Sequence, residues 1–154
     1  MPLIINDDVE LAAACGASGV HLGRDDAPVE QARRRLGAAT IIGVSCYNQL
    51  DRARSAAGLG ASYVAFGRFF PSSSKPDAVA APPALLTEAR REIGLPIIAI
   101  GGITPHNGIE LVQAGADLLA VIQGVFGQPD VRAAARAFAG LFSACHDQNV
   151  PSKP

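Results

Sequence analysis

The sequence predicts an α/β fold in which short parallel strands alternate with helices, and an internal repeat is the first observation behind this prediction. Three segments share one pattern: GASGVHLG at 16–23, GASYVAFG at 60–67 and GADLLAVI at 115–122. The Ala-rich stretches that precede them have helical spacing and lie at 9–15, 51–59 and 107–114. Each copy therefore predicts a helix that ends at a left-handed glycine, followed by a turn and a short apolar strand.

Three further apolar segments and the regular spacing of all six are the second and third observations. These segments begin with Leu3, Thr40 and Pro96, so the six strands start near positions 3, 19, 40, 62, 96 and 118. The strands are apolar without alternation, which is typical of a parallel sheet with both faces buried. Strict alternation of strand and helix at this period predicts either a doubly wound sheet or a (β/α) barrel.

The start and stop signals of the intervening helices agree with this order. One helix is predicted to open at Pro28 and to stop at Gly37. Thr104 is predicted to cap a second helix, and Pro129 or Asp130 to open the last one. These residue types are common at such helix ends.

The residues that follow the strands favour the barrel. Glycines and helix starts follow the last two strands, at 101–102 and 123–124, where (β/α)8 barrels often build a phosphate site. A doubly wound fold places its Gly-rich turn after the first strand, whereas carboxylates follow it here. We therefore predict a member of the (β/α)8 TIM barrel family with only about six β-α units in this chain. Two units are expected to be missing at the N-terminus, so the open sheet is expected to form a homo-oligomer, to aggregate or to depend on a missing N-terminal segment.

Composition predicts a globular cytoplasmic domain. The 154 residues are 49% hydrophobic and 18% charged, which suits one barrel domain over residues 1–148 with a flexible tail at 149–154. The net charge of -1 provides no basic surplus for binding nucleic acid or an anionic membrane. Cys15, Cys46 and Cys145 are odd in number and widely spaced, which suits buried thiols in a reducing cytosol better than a disulfide framework.

Carboxylates after the first two strands are candidate metal ligands. Asp7 and Asp8 follow the first strand, and Asp25 and Asp26 follow the second. Because the carboxyl ends of parallel barrel strands meet at one rim, we expect Asp7 and Asp26 to hold a Mg²⁺ that bridges to phosphate oxygens. Helix capping is the alternative role of these carboxylates, and it fits Asp8 best.

A Ser- and Pro-rich stretch in the longest interval between strands is a candidate phosphate loop. In FPSSSKP, at 70–76, three serines precede Lys75, and hydroxyls and a lysine at this spacing can surround a phosphate. The glycines at 101–102 would let backbone N–H groups approach an anion. The alternatives are an ordinary flexible loop and a tight strand-to-helix turn. His21 lies within a strand, where a hydrogen-bonded core histidine is the simpler interpretation.

Taken together, five segments strongly resemble thiamine phosphate synthase. They are LIINDDVELA at 3–12, GVHLG at 19–23 with Asp26, IGVS at 42–45, the run from YVAFG at 63–67 to FPSSSK at 70–75, and IAIGGIT at 98–104. The match runs in order over roughly residues 3–140, and the combination is specific although its single motifs are not. The family includes a thiazole tautomerase branch and is a (β/α)8 barrel, so the resemblance implies this fold and a transferase of thiamine biosynthesis.

The resemblance also implies two small-molecule substrates and Mg²⁺ as the cofactor. Asn6, Ser45 and Lys75 would contact hydroxymethylpyrimidine diphosphate, with Ser45 and Lys75 as the catalytic residues, and Asp7 and Asp26 would hold Mg²⁺ on its diphosphate. The residues implied for the thiazole phosphate are Ser72, Ser74, Gly102, Ile122 and Gln123. In the family reaction, diphosphate departs from the pyrimidine substrate and a pyrimidinylmethyl cation forms. The thiazole nitrogen then captures this cation to give thiamine phosphate.

Several positions depart from the family pattern. The Gln-x-Arg-x-Lys diphosphate motif has no copy here, the usual Gly-Pro is Gly67-Arg68, and Gln123 stands where a small polar residue is expected. The segment CYN at 46–48 replaces one that often carries the His expected of a tautomerase. These changes resemble the copies found as the C-terminal part of Nudix fusions. The alternative function is therefore a non-catalytic or degenerate phosphate-binding barrel fragment.

The loop lysine gives a direct test of the phosphate-loop interpretation. Lys75 is the only lysine before the C-terminal tail, and a loop lysine can close over a bound diphosphate as a mobile point charge. We predict that Lys75→Ala weakens the binding of the pyrimidine diphosphate by about 1.5–3 kcal/mol, the range for hydrogen bonds to charged groups. Thermal stability should change little, because an exposed loop lysine contributes little to folding. Calorimetric titration with Mg²⁺ present measures this, and equal affinities would make the segment a linker.

Overall fold

The computed structural model describes residues 1–71 and 79–148, with side chains to residue 143. Within these residues six strands and seven helices follow one another along the chain. The elements are β1 Ile4–Asn6, α1 Val9–Ala14, β2 Gly19–Leu22, α2 Val29–Leu36, β3 Ile41–Tyr47, α3 Leu50–Gly58, β4 Tyr63–Phe66, α4 Ala84–Glu92, β5 Ile97–Ile100, α5 Pro105–Ala114, β6 Leu118–Ala120, α6 Gln123–Phe126 and α7 Val131–Gln148. The predicted tail at 149–154 lies outside the described residues, so the predicted domain limits stay a prediction.

The order of the strands decides between the two predicted architectures. The six strands form one sheet in chain order, β1-β2-β3-β4-β5-β6, and each neighbouring pair is parallel. A doubly wound sheet reverses its strand order part-way along the chain, whereas consecutive order is that of a (β/α) barrel. The barrel prediction is therefore confirmed.

The three repeat copies fold as the sequence predicts. Gly16, Gly60 and Gly115 each follow a helix and have positive φ values of 63°, 84° and 117°. Without a Cβ, glycine adopts this left-handed conformation at little cost, which ends the helix and turns the chain toward the next strand. The strands β2, β4 and β6 then begin within four residues of these glycines.

The predicted helix starts are also confirmed. Pro28 and Gly37 flank α2. Thr104 caps α5 through a reciprocal pair of hydrogen bonds with Asn107, so that two otherwise unpaired backbone N–H groups at the helix start are satisfied. Asp130 Oδ1 accepts a hydrogen bond of 2.8 Å from the backbone N–H of Ala133 at the start of α7.

The two faces of the sheet differ in burial, which corrects one expectation. The side chains that face the helices are almost fully buried and form the core; they include Val20, Leu22, Ile42, Val64, Phe66 and Ile97. On the inner face, by contrast, Ile100 and Leu118 are 42% and 50% exposed. The expectation that both faces are buried is therefore wrong for the inner face, since no strand of the described residues lies opposite it.

Parallel register places the inner-face residues in rows across the sheet. Residues paired in register point to the same face of a sheet. One row runs from Asn6 through His21 and Gly43 to Tyr63. The next row includes Ser45, which pairs with Ala65 of β4. Polar groups far apart in the sequence thereby become neighbours inside the barrel.

The described cysteines differ in their environments. Cys46 is buried, as predicted, but Cys15 is exposed, so the prediction of buried thiols is wrong for Cys15. Cys15 directly follows α1, at its C-terminal cap. The side chain of Cys145 lies outside the described residues. In the described residues, no helix has both the length and the apolar character needed to cross a membrane.

Candidate functional site

A cavity of about 390 Å³ lies at the carboxyl ends of β3 to β6, and we call it the inner cavity. Its lining includes Ser45, Gly102, Ile122 and Gln123, four of the residues that the sequence predicts to bind substrate. The rest of the lining is Tyr47, Ala65, Gly67, Arg68, Pro71, Ile100, Gly101, Ile103, Thr104, Ala120, Val121, Gly124 and Gln128. Residues from four strand ends therefore converge on one space large enough for a small-molecule ligand.

The glycines after β5 form a turn that the chain packs against closely. Gly102 has a φ of 63°, and a Cβ built there would lie 2.3 Å from the carbonyl oxygen of Pro71. The segment after β4 is held here because Phe69 N–H donates to Ile100 O and Phe70 N–H donates to Gly101 O, both at 3.2 Å. Glycine at position 102 thus permits the tight strand-to-helix turn and brings residues 67–71 to the cavity wall.

The same segment closes the base of the long loop. Arg68 N–H donates to Val79 O at 3.3 Å, and Ala81 N–H donates to Arg68 O at 2.8 Å. Both ends of the connection are thus fixed beside the inner cavity, which Pro71 lines. The predicted site residues Ser72, Ser74 and Lys75 lie outside the described residues, and their assignment stays a prediction.

A hydrogen-bonded chain of side chains crosses the inner face beneath the cavity. His21 Nδ1 lies 2.9 Å from the hydroxyl oxygen of Tyr63, and His21 Nε2 lies 2.8 Å from Ser45 Oγ. All three side chains are half-buried, and burial raises the pKa of the Tyr63 phenol. The predicted binding residue Ser45 is therefore held by a histidine that is held in turn by a tyrosine.

Gly43 makes this chain of contacts sterically possible. It lies between His21 and Tyr63 in register, and a Cβ there would lie 2.0 Å from Tyr63 Cζ. The Tyr63 ring therefore crosses Gly43 to reach His21. Asn6, also predicted to bind substrate, pairs with His21 from β1 on the other side.

Arg52 holds the ends of two inner strands together. Its Nε donates to Ser45 O at 2.7 Å, and its Nη2 donates to Gly23 O at 2.8 Å. These bonds join the carboxyl ends of β2 and β3 next to Ser45. The neighbouring Cys46 faces the core, where burial raises the pKa of its thiol to about 12, so it stays protonated.

Asp7 and Asp26 line one open cleft at the carboxyl ends of β1 and β2, which we call the rim cleft. Asp7 has a φ of 66°, and its N–H donates to His21 O at 2.8 Å. Asp26 Oδ2 accepts a hydrogen bond of 2.6 Å from Gly23 N–H. Asp8 also lines the cleft, but its Oδ1 accepts from Leu11 N–H and caps α1, as the sequence predicts.

Asp7 and Asp26 fit a Mg²⁺ ion whose remaining coordination positions are filled by a bound ligand and water. Among the described residues there is no group of three or more His, Cys, Asp or Glu side chains placed to hold a metal. Mg²⁺ commonly takes one or two protein carboxylates together with substrate phosphates and water. Asp7 and Asp26 match this smaller requirement, whereas a metal held by protein groups alone would need more ligands.

Sequence reasoning missed His21, Tyr63 and Arg68 as site residues. The positions of His21 and Ser45 are in phase with the glycines of β2 and β3, while large apolar residues occupy the other face. This two-residue phase is a signal that identifies the inner face. Arg68 departs from the Gly-Pro of the family pattern, and the structure places it in the cavity wall.

Comparisons with known proteins identify the family of the chain. A family model described as thiamine monophosphate synthase matches residues 1–125. The chain belongs to the thiamine monophosphate synthase family. The thiamine-phosphate synthase of Nitrosococcus oceani is 58% identical over 137 residues, which are 89% of this chain and 63% of that protein. The corresponding protein of Thiobacillus denitrificans is 56% identical over 144 residues, which are 94% of this chain and 68% of that protein.

A solved structure from the same family has the same fold. Thiamine phosphate pyrophosphorylase from Pyrococcus furiosus matches with a TM-score of 0.82 at 35% identity and covers 92% of this chain and 67% of that chain. This confirms the family resemblance found in the sequence. The chain spans only about two thirds of the length of these three proteins, and 63% of the Nitrosococcus protein.

The close packing of Tyr63 against Gly43 predicts how a methyl group at position 43 changes stability. Gly43→Ala should lower the free energy of unfolding by about 1–3 kcal/mol, because overpacking forces side chains and backbone to shift. Gly58→Ala is the matched control, since a Cβ there meets nothing within 4 Å. It should leave stability unchanged or raise it by up to about 1 kcal/mol. Urea unfolding of the three proteins measures this, and equal stabilities would contradict the packing described.

Proposed function

We propose that this protein is a transferase that joins hydroxymethylpyrimidine diphosphate to thiazole phosphate, giving thiamine phosphate and diphosphate. The observation that carries the proposal is 56–58% identity to thiamine-phosphate synthases over about nine tenths of the chain. We also propose that it acts in the cytoplasm. Because the relatives are longer, the proposal extends to a barrel completed by an N-terminal segment or by a second copy of the chain.

The inner cavity suits an anionic ligand with an apolar ring. Of its lining residues, Arg68 alone carries a formal charge, and the salt bridges between described residues do not involve it. Ile100 and Ile122 provide apolar surface in the same wall. We assign the thiazole phosphate to this cavity, with Gly102, Ile122 and Gln123 as contacts. Ser72, Ser74 and Lys75 are proposed to complete the phosphate site, because they directly follow Pro71 at the cavity wall.

The rim cleft is the proposed site of Mg²⁺. Asp7 and Asp26 would hold the ion on the diphosphate of the pyrimidine substrate. When bound, the ion would neutralise charge that accumulates on the departing diphosphate. The ring of this substrate would then lie near Asn6 and Ser45, between the rim cleft and the inner cavity.

The proposed reaction balances without a redox partner. The bond between the pyrimidine methylene carbon and the diphosphate oxygen breaks, and its electron pair leaves with the diphosphate. The lone pair of the thiazole nitrogen then forms the new C–N bond to the same carbon. The protein groups proposed to act are Lys75 and Arg68, as cations near phosphates, and Ser45, which orients the pyrimidine ring. Fixed dipoles and charges of this kind stabilise charge that develops in a transition state.

The direct test is a thiamine phosphate formation assay with both substrates and Mg²⁺. It should be run on the chain alone and on the chain fused to the N-terminal segment of the Thiobacillus denitrificans relative. Product from either form supports the proposal, and Ser45→Ala should reduce it. If neither form makes product while both still bind pyrophosphate, the phosphate-binding alternative becomes the better description.

The metal assignment predicts a specific change in Mg²⁺ dependence. Asp7→Asn and Asp26→Asn should each raise the Mg²⁺ concentration needed for half-maximal turnover and lower the maximal rate, because each removes a carboxylate ligand. Glu30→Gln, a change on α2 outside both clefts, serves as the charge-matched control. Wild-type Mg²⁺ dependence in both Asp variants would refute the metal assignment.

The guanidinium of Arg68 in the wall of the inner cavity predicts a loss of anion affinity on its removal. Arg68→Gln should weaken the binding of thiazole phosphate by about 1.5–3 kcal/mol, the range for a hydrogen bond to a charged group. Arg136→Gln removes the same charge from an exposed position on α7 and should leave affinity unchanged. Calorimetry at two salt concentrations separates a direct contact from a general field effect. Equal losses in the two variants would contradict a direct contact.

A further inference from the structure

The hydrogen-bonded chain of Tyr63, His21 and Ser45 has a direction that the chemistry of its groups determines. A neutral imidazole has one N–H donor and one acceptor nitrogen, so the two bonds of His21 run in opposite senses. Either Tyr63 donates to Nδ1 and Nε2–H donates to Ser45, or Ser45 donates to Nε2 and Nδ1–H donates to Tyr63. In the first tautomer the Ser45 O–H can donate to a ligand in the inner cavity. In the second it is donated to His21, and Ser45 can only accept from a ligand.

The environment of Tyr63 favours the first arrangement. A phenol always carries a proton at neutral pH when burial raises its pKa, as it does here. In the described residues, the group within hydrogen-bond distance of this hydroxyl is His21 Nδ1, at 2.9 Å. If Nδ1 carried the proton instead, the half-buried phenol would lack an acceptor for its own proton, which costs free energy.

We propose that Tyr63 is a positioning residue that fixes His21 as the Nε2–H tautomer, so that Ser45 donates its hydroxyl proton to a ligand in the cavity. Tyr63 O–H donates to Nδ1, and Nε2–H donates to Ser45 Oγ at 2.8 Å. Nε2–H then occupies one of the two lone pairs of the Ser45 oxygen, while the Ser45 O–H is not donated to His21 and can point into the cavity that Ser45 lines. Ser45 therefore selects a ligand that presents an acceptor there, such as an aromatic ring nitrogen.

Two further contacts hold the arrangement in place. Arg52 Nε binds the backbone carbonyl of Ser45 at 2.7 Å and fixes the strand from which the hydroxyl projects. Gly43 leaves room for the Tyr63 ring to reach across β3. The geometry thus constrains the tautomer of a histidine that need not touch the ligand. The ligand part of this inference rests on the proposed function, whereas the tautomer part does not.

The tautomer can be read directly by nitrogen NMR. In ¹⁵N-labelled protein at about pH 8, above the ordinary pKa of imidazole, long-range ¹H–¹⁵N spectra distinguish a protonated from an unprotonated ring nitrogen. The His21 signals are assigned by their loss in His21→Gln. We expect Nε2 to be protonated in the wild type and the proton to move partly to Nδ1 in Tyr63→Phe, which keeps the ring and removes the hydroxyl.

A matched control separates tautomer control from loosening of the sheet. Ser62→Ala removes another hydroxyl next to Tyr63, one that accepts from Ile42 N–H at 3.0 Å and makes no contact with His21. It should leave the His21 tautomer unchanged. Protonation of Nδ1 in the wild type, an unchanged tautomer in Tyr63→Phe, or an equal shift in Ser62→Ala would each overturn the proposal.

Binding of the pyrimidine diphosphate with Mg²⁺ tests the consequence for Ser45. Tyr63→Phe and Ser45→Ala should each weaken binding by about three- to tenfold, the effect of one hydrogen bond. The double variant should bind no more weakly than Ser45→Ala, because Tyr63 acts through Ser45. Additive losses would overturn the coupling. If the wild type does not bind this diphosphate at all, the proposed substrate is wrong, and the NMR spectra still decide the tautomer.

Discussion

In-register pairing of six parallel strands is the constraint from which the site follows. Register places the inner-face side chain of each strand beside that of the next, so residues 24 and 42 positions away from His21 become its hydrogen-bond partners. It also brings every strand end to the same rim. Neither contact would survive a shift of one residue, because such a shift sends each side chain to the opposite face.

The rim carries different chemical groups along the order of the strands. The carboxylates after β1 and β2 share the rim cleft with Arg34 and Arg35, the Arg68 guanidinium follows β4, and a Gly-Gly turn follows β5. The hydroxyl, imidazole and phenol groups lie between the two charged regions. A ligand at the rim would therefore meet carboxylates on one side and the Arg68 guanidinium on the other. Arg52 keeps the two regions at a fixed separation, because it joins the ends of β2 and β3.

The sequence was sufficient for features that depend on local signals. Glycines in the left-handed conformation end helices, and Thr104 and Asp8 cap them, so element order, repeat structure and several helix starts could be predicted. The sequential barrel order followed from the residues at strand ends.

Contacts across strands were not accessible in the same way. His21 sits in a four-residue strand, so its inward orientation follows only when the glycines of β2 and β3 are compared. Its partner Tyr63 lies two strands away, and the role of Gly43 between them becomes visible only with the register. Arg68 could not be assigned from sequence for another reason, since its place in the cavity wall depends on the fold of the segment after β4.

Arg68 is hydrogen-bonded to Val79 and Ala81 at the base of the long connection. Because of these bonds, the shape of the barrel does not depend on the length of that connection. Two backbone hydrogen bonds fix where that connection leaves and where it returns. Doubling the length of a flexible connection with fixed ends costs only about 0.6 kcal/mol in closure entropy. Natural variants of this protein can therefore gain or lose residues between 71 and 79 at small cost to folding. A constraint on Ser72, Ser74 and Lys75 would therefore come from the phosphate contacts proposed for them and not from the folding of the strands that define the cavity.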